Sequence, residues 1–317
     1  MSGPPVSRRR VLKWGLGGAG ALVVAGVGGM ELVLHDVLPG HGALTRFAGA
    51  CDVKAATPSF AAGSTSTSGQ FFSRARNGQV GYSLAYPPGH IPGRPLALIV
   101  VLHGLGRDHT NPLSGLSLAQ AAALQIDGRP PAPVALVAAD GGSGYWHAHV
   151  GDDPLGMVVD ELIPMCQALG LGRLPQRIGA LGISMGGFGA LLLAQRHPAL
   201  VGAVAAISPA VWRSYPEARA ASSGAFASAA DFAANDVITH ASQLGSIPVW
   251  VAVGRADPFH GGVSALAPAL PAGANVRIVA GCHDDQFWQS EQPAAFAFLG
   301  DHLSSLPVPV SGEVVRP

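Results

Sequence analysis

From Leu96 onward the chain is a series of short apolar runs separated by polar, glycine-rich breaks. Leu96 to Leu102 (LALIVVL) has strand length and no polar position, the pattern of a strand covered on both faces. Val134 to Ala138, Ile178 to Ile183, Ala203 to Ile207, Pro248 to Val253 and Asn275 to Val279 are further short, mainly apolar runs. Between them the apolar residues change to helical spacing. Leu155, Val158, Val159, Leu162 and Ile163 mark a helix over Pro154 to Leu169, with a kink predicted at Pro164. Leu191, Leu192 and Leu193 mark another from Gly187 to Arg196, and Phe287 to Leu303 forms a last one. Strands alternating with helices predict an α/β fold with a mostly parallel central sheet and helices on both faces.

Upstream, Gln70 to Arg76 and Gln79 to Tyr86 are extended segments joined by Asn77-Gly78, a strong hairpin signal, and Pro87-Pro88-Gly89 closes the second. Trp212 to Gly245 is the longest excursion between strands and a candidate cap. No internal repeat is visible, and one domain accounts for residues 70–303. Residues 51–69, rich in Ser, Thr, Ala and Gly, read as a linker, and the proline-rich residues 304–317 as a flexible tail.

The first 50 residues read as an address. Ser7-Arg8-Arg9-Arg10-Val11-Leu12-Lys13 resembles a twin-arginine export signal, and Trp14 to Met30 is the uncharged, glycine-diluted apolar segment that follows one. The expected location is therefore outside the cytoplasm, secreted or associated with the cell envelope. Ala48-Gly49-Ala50 has the form of a cleavage site but lies far beyond the apolar run, so an uncleaved membrane anchor stays open beside a cleaved signal. Gly15 to Gly20 satisfies G-x-G-x-x-G, yet arginines precede it where a dinucleotide site needs a strand, so no cofactor is expected.

Charge narrows the partners slightly. Nineteen basic and 19 acidic residues give a formal net charge of zero, so no basic face for nucleic acid is implied. Membrane contact is expected only through the N-terminal segment. Cys51, Cys166 and Cys282 lack metal-ligand spacing. In an exported chain they imply one disulfide and one thiol, with Cys282 joined to Cys51 or Cys166, or left free.

The chemistry gathers at Gly182-Ile183-Ser184-Met185-Gly186. G-x-S-x-G is weak alone, but here a strand pattern leads into it and a helix pattern leaves it. That sharp turn lifts a serine hydroxyl above the carboxyl end of a sheet and sets the Met185 N–H at a helix N-terminus, where it can donate to an oxyanion. A serine is a poor nucleophile until a base takes its proton. His283, after NVRIV, is the candidate base, and Asp257, after PVWVAV, the candidate orienting acid. Asp284 and Asp285 are too near His283 along the chain to orient it, and Asp231 and Asp236 lie in the excursion. The second oxyanion donor is expected at the Leu105 backbone, in a glycine-bracketed loop propped by His103. His147 and His149 have no third ligand at a predictable spacing, so they are read as lining a cleft or facing solvent, and no metal is expected. His197 reads as a surface residue at a helix end.

Taken together, LHGLGRD, ADGG, GISMGGFGALLLA, GRADPF and GCHDDQFW resemble the esterase D and S-formylglutathione hydrolase-like group of α/β hydrolases, which includes mycolyltransferases and feruloyl esterases. The resemblance runs from about Leu96 to Gly300. It implies an α/β-hydrolase fold, a Ser184–Asp257–His283 triad, and an oxyanion hole at Leu105 and Met185. With the export segment read above, the expected function is an exported serine ester hydrolase acting on a small or cell-envelope ester. The alternatives are an acyltransferase of the mycolyltransferase type, acting on an envelope sugar, and a non-catalytic envelope-binding scaffold.

Overall fold

The structure is a computed structural model that describes residues 51, 53–130, 132–173 and 177–304. The export segment therefore lies outside the described residues, as does all but the first residue of the tail. The strands are β1 (Ser59–Phe60), β2 (Thr65–Ser73), β3 (Gly78–Tyr86), β4 (Ala97–Leu102), β5 (Leu124–Gln125), β6 (Val134–Ala139), β7 (Ile178–Ile183), β8 (Val201–Ile207), β9 (Val249–Gly254) and β10 (Asn275–Val279). Eight of them form one sheet in the order β10-β9-β8-β7-β4-β6-β3-β2. All pairings from β10 to β6 are parallel, while β3 runs antiparallel to both β6 and β2.

The absence of polar positions in the central runs is explained by the core. Every residue of β4, β6, β7 and β9 is buried. Along β4, Leu98, Val100 and Leu102 enter one apolar cluster, while Ala97, Ile99 and Val101 enter a second on the opposite face. Helices supply the rest of each layer. They are α1 (Leu118–Ala122), α2 (Pro154–Met157), α3 (Ile163–Ala168), α4 (Met185–Arg196), α5 (Tyr215–Ala221), α6 (Ala229–Asn235), α7 (His260–Leu266) and α8 (Asp285–Ser304). α2, α3 and α4 pack on the first face, α1 and α8 on the second. This is the mostly parallel, doubly covered sheet of the α/β-hydrolase fold. Among the described residues no helix is long and apolar enough to cross a membrane.

Three sequence expectations change. Thr65 to Gly69, assigned to the linker, is the first half of β2 and pairs with Tyr82 to Tyr86. Those residues are polar and mostly exposed because β2 is an edge strand, so a search for apolar patterning misses them. The hairpin forms, but its turn is the four residues 74–77, ending at Asn77 with φ 51°, and Gly78 already belongs to β3, paired with Ser73. The helix around Pro164 is not simply kinked: a π turn, Val158–Leu162, separates α2 from α3, and the Ile163 N–H donates to Val158 O. A proline ring crowds the carbonyl four residues earlier, and the wider turn ahead of it relieves that crowding. Finally, α1, with its Ser117/Gln120 capping box, and the β1–β5 pair carry no signal strong enough to be read from sequence.

Candidate active site

Ser184 sits between β7 and α4 with φ 58° and ψ −119°, a region that non-glycine residues avoid. The surroundings hold it there. Its N–H donates to Ile207 O at 2.9 Å, and its carbonyl accepts from Ala210 N at 3.0 Å, so the end of β8 grips the turn from both sides. The turn also needs bare backbone beside it. A Cβ at Gly186 would lie 1.8 Å from Leu102 O, and one at Gly182 would lie 2.0 Å from Gly186 O, so no larger residue fits either place.

The sheet order brings the other two candidates to this point. Asp257 lies in the turn after β9 and His283 in the loop after β10. Ser184 Oγ is 2.9 Å from His283 Nε2, and His283 Nδ1 is 2.8 Å from Asp257 Oδ2. Since a carboxylate only accepts, Nδ1 carries the proton, and Nε2 is left to accept from the serine hydroxyl. The Phe259 N–H donates to the other carboxylate oxygen at 2.8 Å, and Asp257 is only 1% exposed. The imidazole is gripped laterally as well, with the rings of Phe259 and Trp288 each 5.0 Å away and near perpendicular.

The family model named Esterase and described as "Putative esterase" matches residues 73–299, well over half of the chain. The chain belongs to this esterase family. No curated protein sequence matches it. Among solved structures, an S-formylglutathione hydrolase from Agrobacterium tumefaciens is similar at TM-score 0.60 and 16% identity, over 79% of this chain and 99% of that one. FphF, a fluorophosphonate-binding serine hydrolase of Staphylococcus aureus, gives 0.59 and 16% over 75% and 99%. A ferulic acid esterase gives 0.58 and 17% over the same shares. At these identities the likenesses speak for the fold alone, and the family match makes the protein a serine esterase.

In the esterase, Met185 opens α4 directly after Ser184 and is buried. Gly104 lies against Ser184, with its Cβ position 3.7 Å from Ser184 Cβ, and Leu105 follows, 53% exposed. His103 is fully buried. Its Nδ1 donates to Gly104 O at 2.8 Å and its Nε2 accepts from Gly141 N at 2.8 Å, which requires a neutral ring. Burial pushes its pKa below the ordinary histidine value, in keeping with that role.

The structure corrects the reading of His147. It neither lines an open cleft nor faces solvent: it is fully buried, stacked on Phe226 at 5.0 Å, and donates from Nε2 to Ala225 O at 2.7 Å. Desolvation lowers its pKa too. His149 packs against it at 4.3 Å and uses Nε2 on Gly144 O. These rings fasten the loop after β6 to the excursion. There Trp212, Phe226 and Phe232 form an apolar cluster with Tyr145 and Phe188, and that cluster reaches the imidazole through Phe259. His197 is half-buried at the C-terminal cap of α4.

The set-aside carboxylates have local work. Asp231 and Asp236 accept from backbone within the excursion, Asp284 accepts from Phe287 N, and Asp285 pairs with Arg107 at 2.7 Å. The Arg107 guanidinium also lies 5.8 Å over Trp288. Sequence reasoning missed Phe259, Trp288 and Arg107 as neighbours of the site. The signal available was proximity alone: Phe259 and Trp288 stand within a few residues of Asp257 and His283, and Arg107 two residues after Leu105.

The cysteine question resolves as Cys51–Cys282, one residue ahead of His283. Cys166 is a buried free thiol, pushed up to about 12 by desolvation. A separate cavity of about 430 Å³, lined by Leu124, Ile126, Val134, Phe296 and Ala297, lies at the start of β6, the end remote from the loop that carries Asp140.

Proposed function

We propose that this serine esterase is an exported carboxylic-ester hydrolase that works through an acyl-enzyme on Ser184. The observation that carries the reading is the continuous line from Ser184 Oγ through His283 to Asp257, at 2.9 and 2.8 Å. In the first half-reaction the Ser184 oxygen bonds to the ester carbonyl carbon while His283 Nε2 takes its proton. The carbonyl oxygen becomes an oxyanion facing the N–H groups of Leu105 and Met185. Collapse breaks the bond to the leaving alcohol, which receives the proton from His283. Water then repeats the sequence on the acyl-serine, releasing the acid and restoring the hydroxyl. Asp257 stays ionised throughout and stabilises the imidazolium.

Export is supported by the arginine-led N-terminal segment and by Cys51–Cys282, since such bridges persist in oxidising compartments. The substrate is a small-molecule or envelope ester, and the charge balance offers nothing to nucleic acid. Ser184→Ala should lose at least about a thousandfold in hydrolysis of a short p-nitrophenyl ester and should no longer react with a fluorophosphonate probe. Wild-type turnover by that variant overturns the reading. Product analysis with and without a sugar acceptor separates hydrolysis from acyl transfer.

A further inference from the structure

We propose that His109 and Asp140 are positioning residues that hold the loop bearing Leu105 in its working shape. The proposal rests on the assignment of the Leu105 N–H as an oxyanion donor. Asp140 follows β6, and its carboxylate gathers donors from two sides. Oδ1 accepts the His109 main-chain N–H at 2.9 Å and His109 Nδ1 at 2.7 Å, while Oδ2 accepts Gly81 N at 3.2 Å. The Asp140 carbonyl accepts from Arg76, whose guanidinium is fixed in turn by Asp152 at 2.7 and 3.0 Å.

Room for the His109–Asp140 pair exists because residue 81 has no side chain. A Cβ there would lie 2.3 Å from His109 Cε1 and 2.8 Å from Asp140 Oδ2. The other end of the loop is fastened to the next residue of the same segment, through Gly141 N to His103 Nε2. The loop thus leaves residue 141 at His103 and returns to residue 140 at His109. Between these anchors run residues 104–108; Arg107 braces the turn through its N–H to Gly104 O at 3.2 Å and its guanidinium to Asp285, whereas Gly104 and Gly106, the latter at φ 74°, have little stiffness of their own. An oxyanion donor works within a few tenths of an ångström of 2.9 Å, so slack at either anchor weakens the transition state more than the bound ester.

The test uses the full chain and a p-nitrophenyl ester. His109→Ala should lower kcat by about tenfold to a hundredfold with KM little changed. His109→Asn, whose amide can donate to Asp140, should recover most of the loss. Gly81→Ala should reproduce the His109→Ala defect without altering either member of the pair, and it carries the test should His109→Ala fail to fold. Wild-type kcat in both His109→Ala and Gly81→Ala overturns the proposal. So does a loss in which KM and thermal stability move together and which Asn does not repair, since that marks a purely structural residue. Activity in Ser184→Ala would instead overturn the catalytic reading, and so the two failures remain distinguishable.

Discussion

Breaking the Cys51–Cys282 bond tests how far the histidine loop depends on a distant piece of chain. The two cysteines are 231 residues apart. In the chain-entropy description, closing a loop of that size removes about 5 kcal/mol of unfolded-state entropy at 25 °C, and native bridges typically contribute about 2–5 kcal/mol when removed. Val53, two residues from Cys51, packs against the second apolar cluster, so part of the tether survives without sulfur. A loss of about 3–4 kcal/mol for Cys51→Ser follows, or roughly 6–16 °C in Tm at about 2–4 °C per kcal/mol for a domain of this size. Because Cys282 adjoins His283, kcat should fall several-fold with it. Thermal unfolding by circular dichroism and ester hydrolysis would be followed for wild type with and without a phosphine reductant, and for Cys51→Ser. A variant within about 2 °C of wild type and with unchanged kcat would refute the idea that the bridge restrains the loop.

Asp257→Asn should keep the fold and lose about 10³- to 10⁴-fold in kcat, because an amide can leave the imidazole in the wrong tautomer and cannot stabilise the imidazolium; steady-state kinetics read the loss, and near-wild-type kcat would sink that role. Acid should destabilise the protein through His103 and His147, whose pKa values burial lowers from the ordinary 6.5. Below about pH 6.5 the unfolded chain takes up protons at these positions while the folded one refuses them. Their contribution is therefore intact above that pH and is lost as the pH falls. The drop in Tm between pH 7 and pH 5 should shrink in His103→Gln, and equal drops would exclude His103 as a source.

The central architecture was legible because local pattern and tertiary role coincide there. β4, β6, β7 and β9 are buried on both faces and so carry no polar residue, and Ser184 and Asp257 follow two of these runs, while His283 follows β10, a mixed and partly exposed strand. Chain order alone then puts the three on one rim of a parallel sheet. The illegible parts are those whose cause is remote. The polar half of β2 is a strand because β3 pairs with it, Cys282 has three possible fates until the fold brings Cys51 to it, and His147 is buried by Phe226 from the excursion. The His109–Asp140 contact depends on an absent side chain at residue 81, in a strand nearly thirty residues upstream of His109.

The proposed nucleophile and its proposed base have unequal footing. Ser184 follows β7, which lies between β4 and β8 in the interior of the sheet, whereas His283 follows β10, which closes one end of the strand order and has no fully buried residue. Strands at such a margin open more readily than those inside. Under the proposed mechanism, turnover is therefore expected to report on the opening of β10, one of the two outer strands of the sheet. A fluctuation that peels β10 back should then silence the enzyme while Ser184 stays in place, and the Cys51–Cys282 bridge lies in the loop that follows that strand.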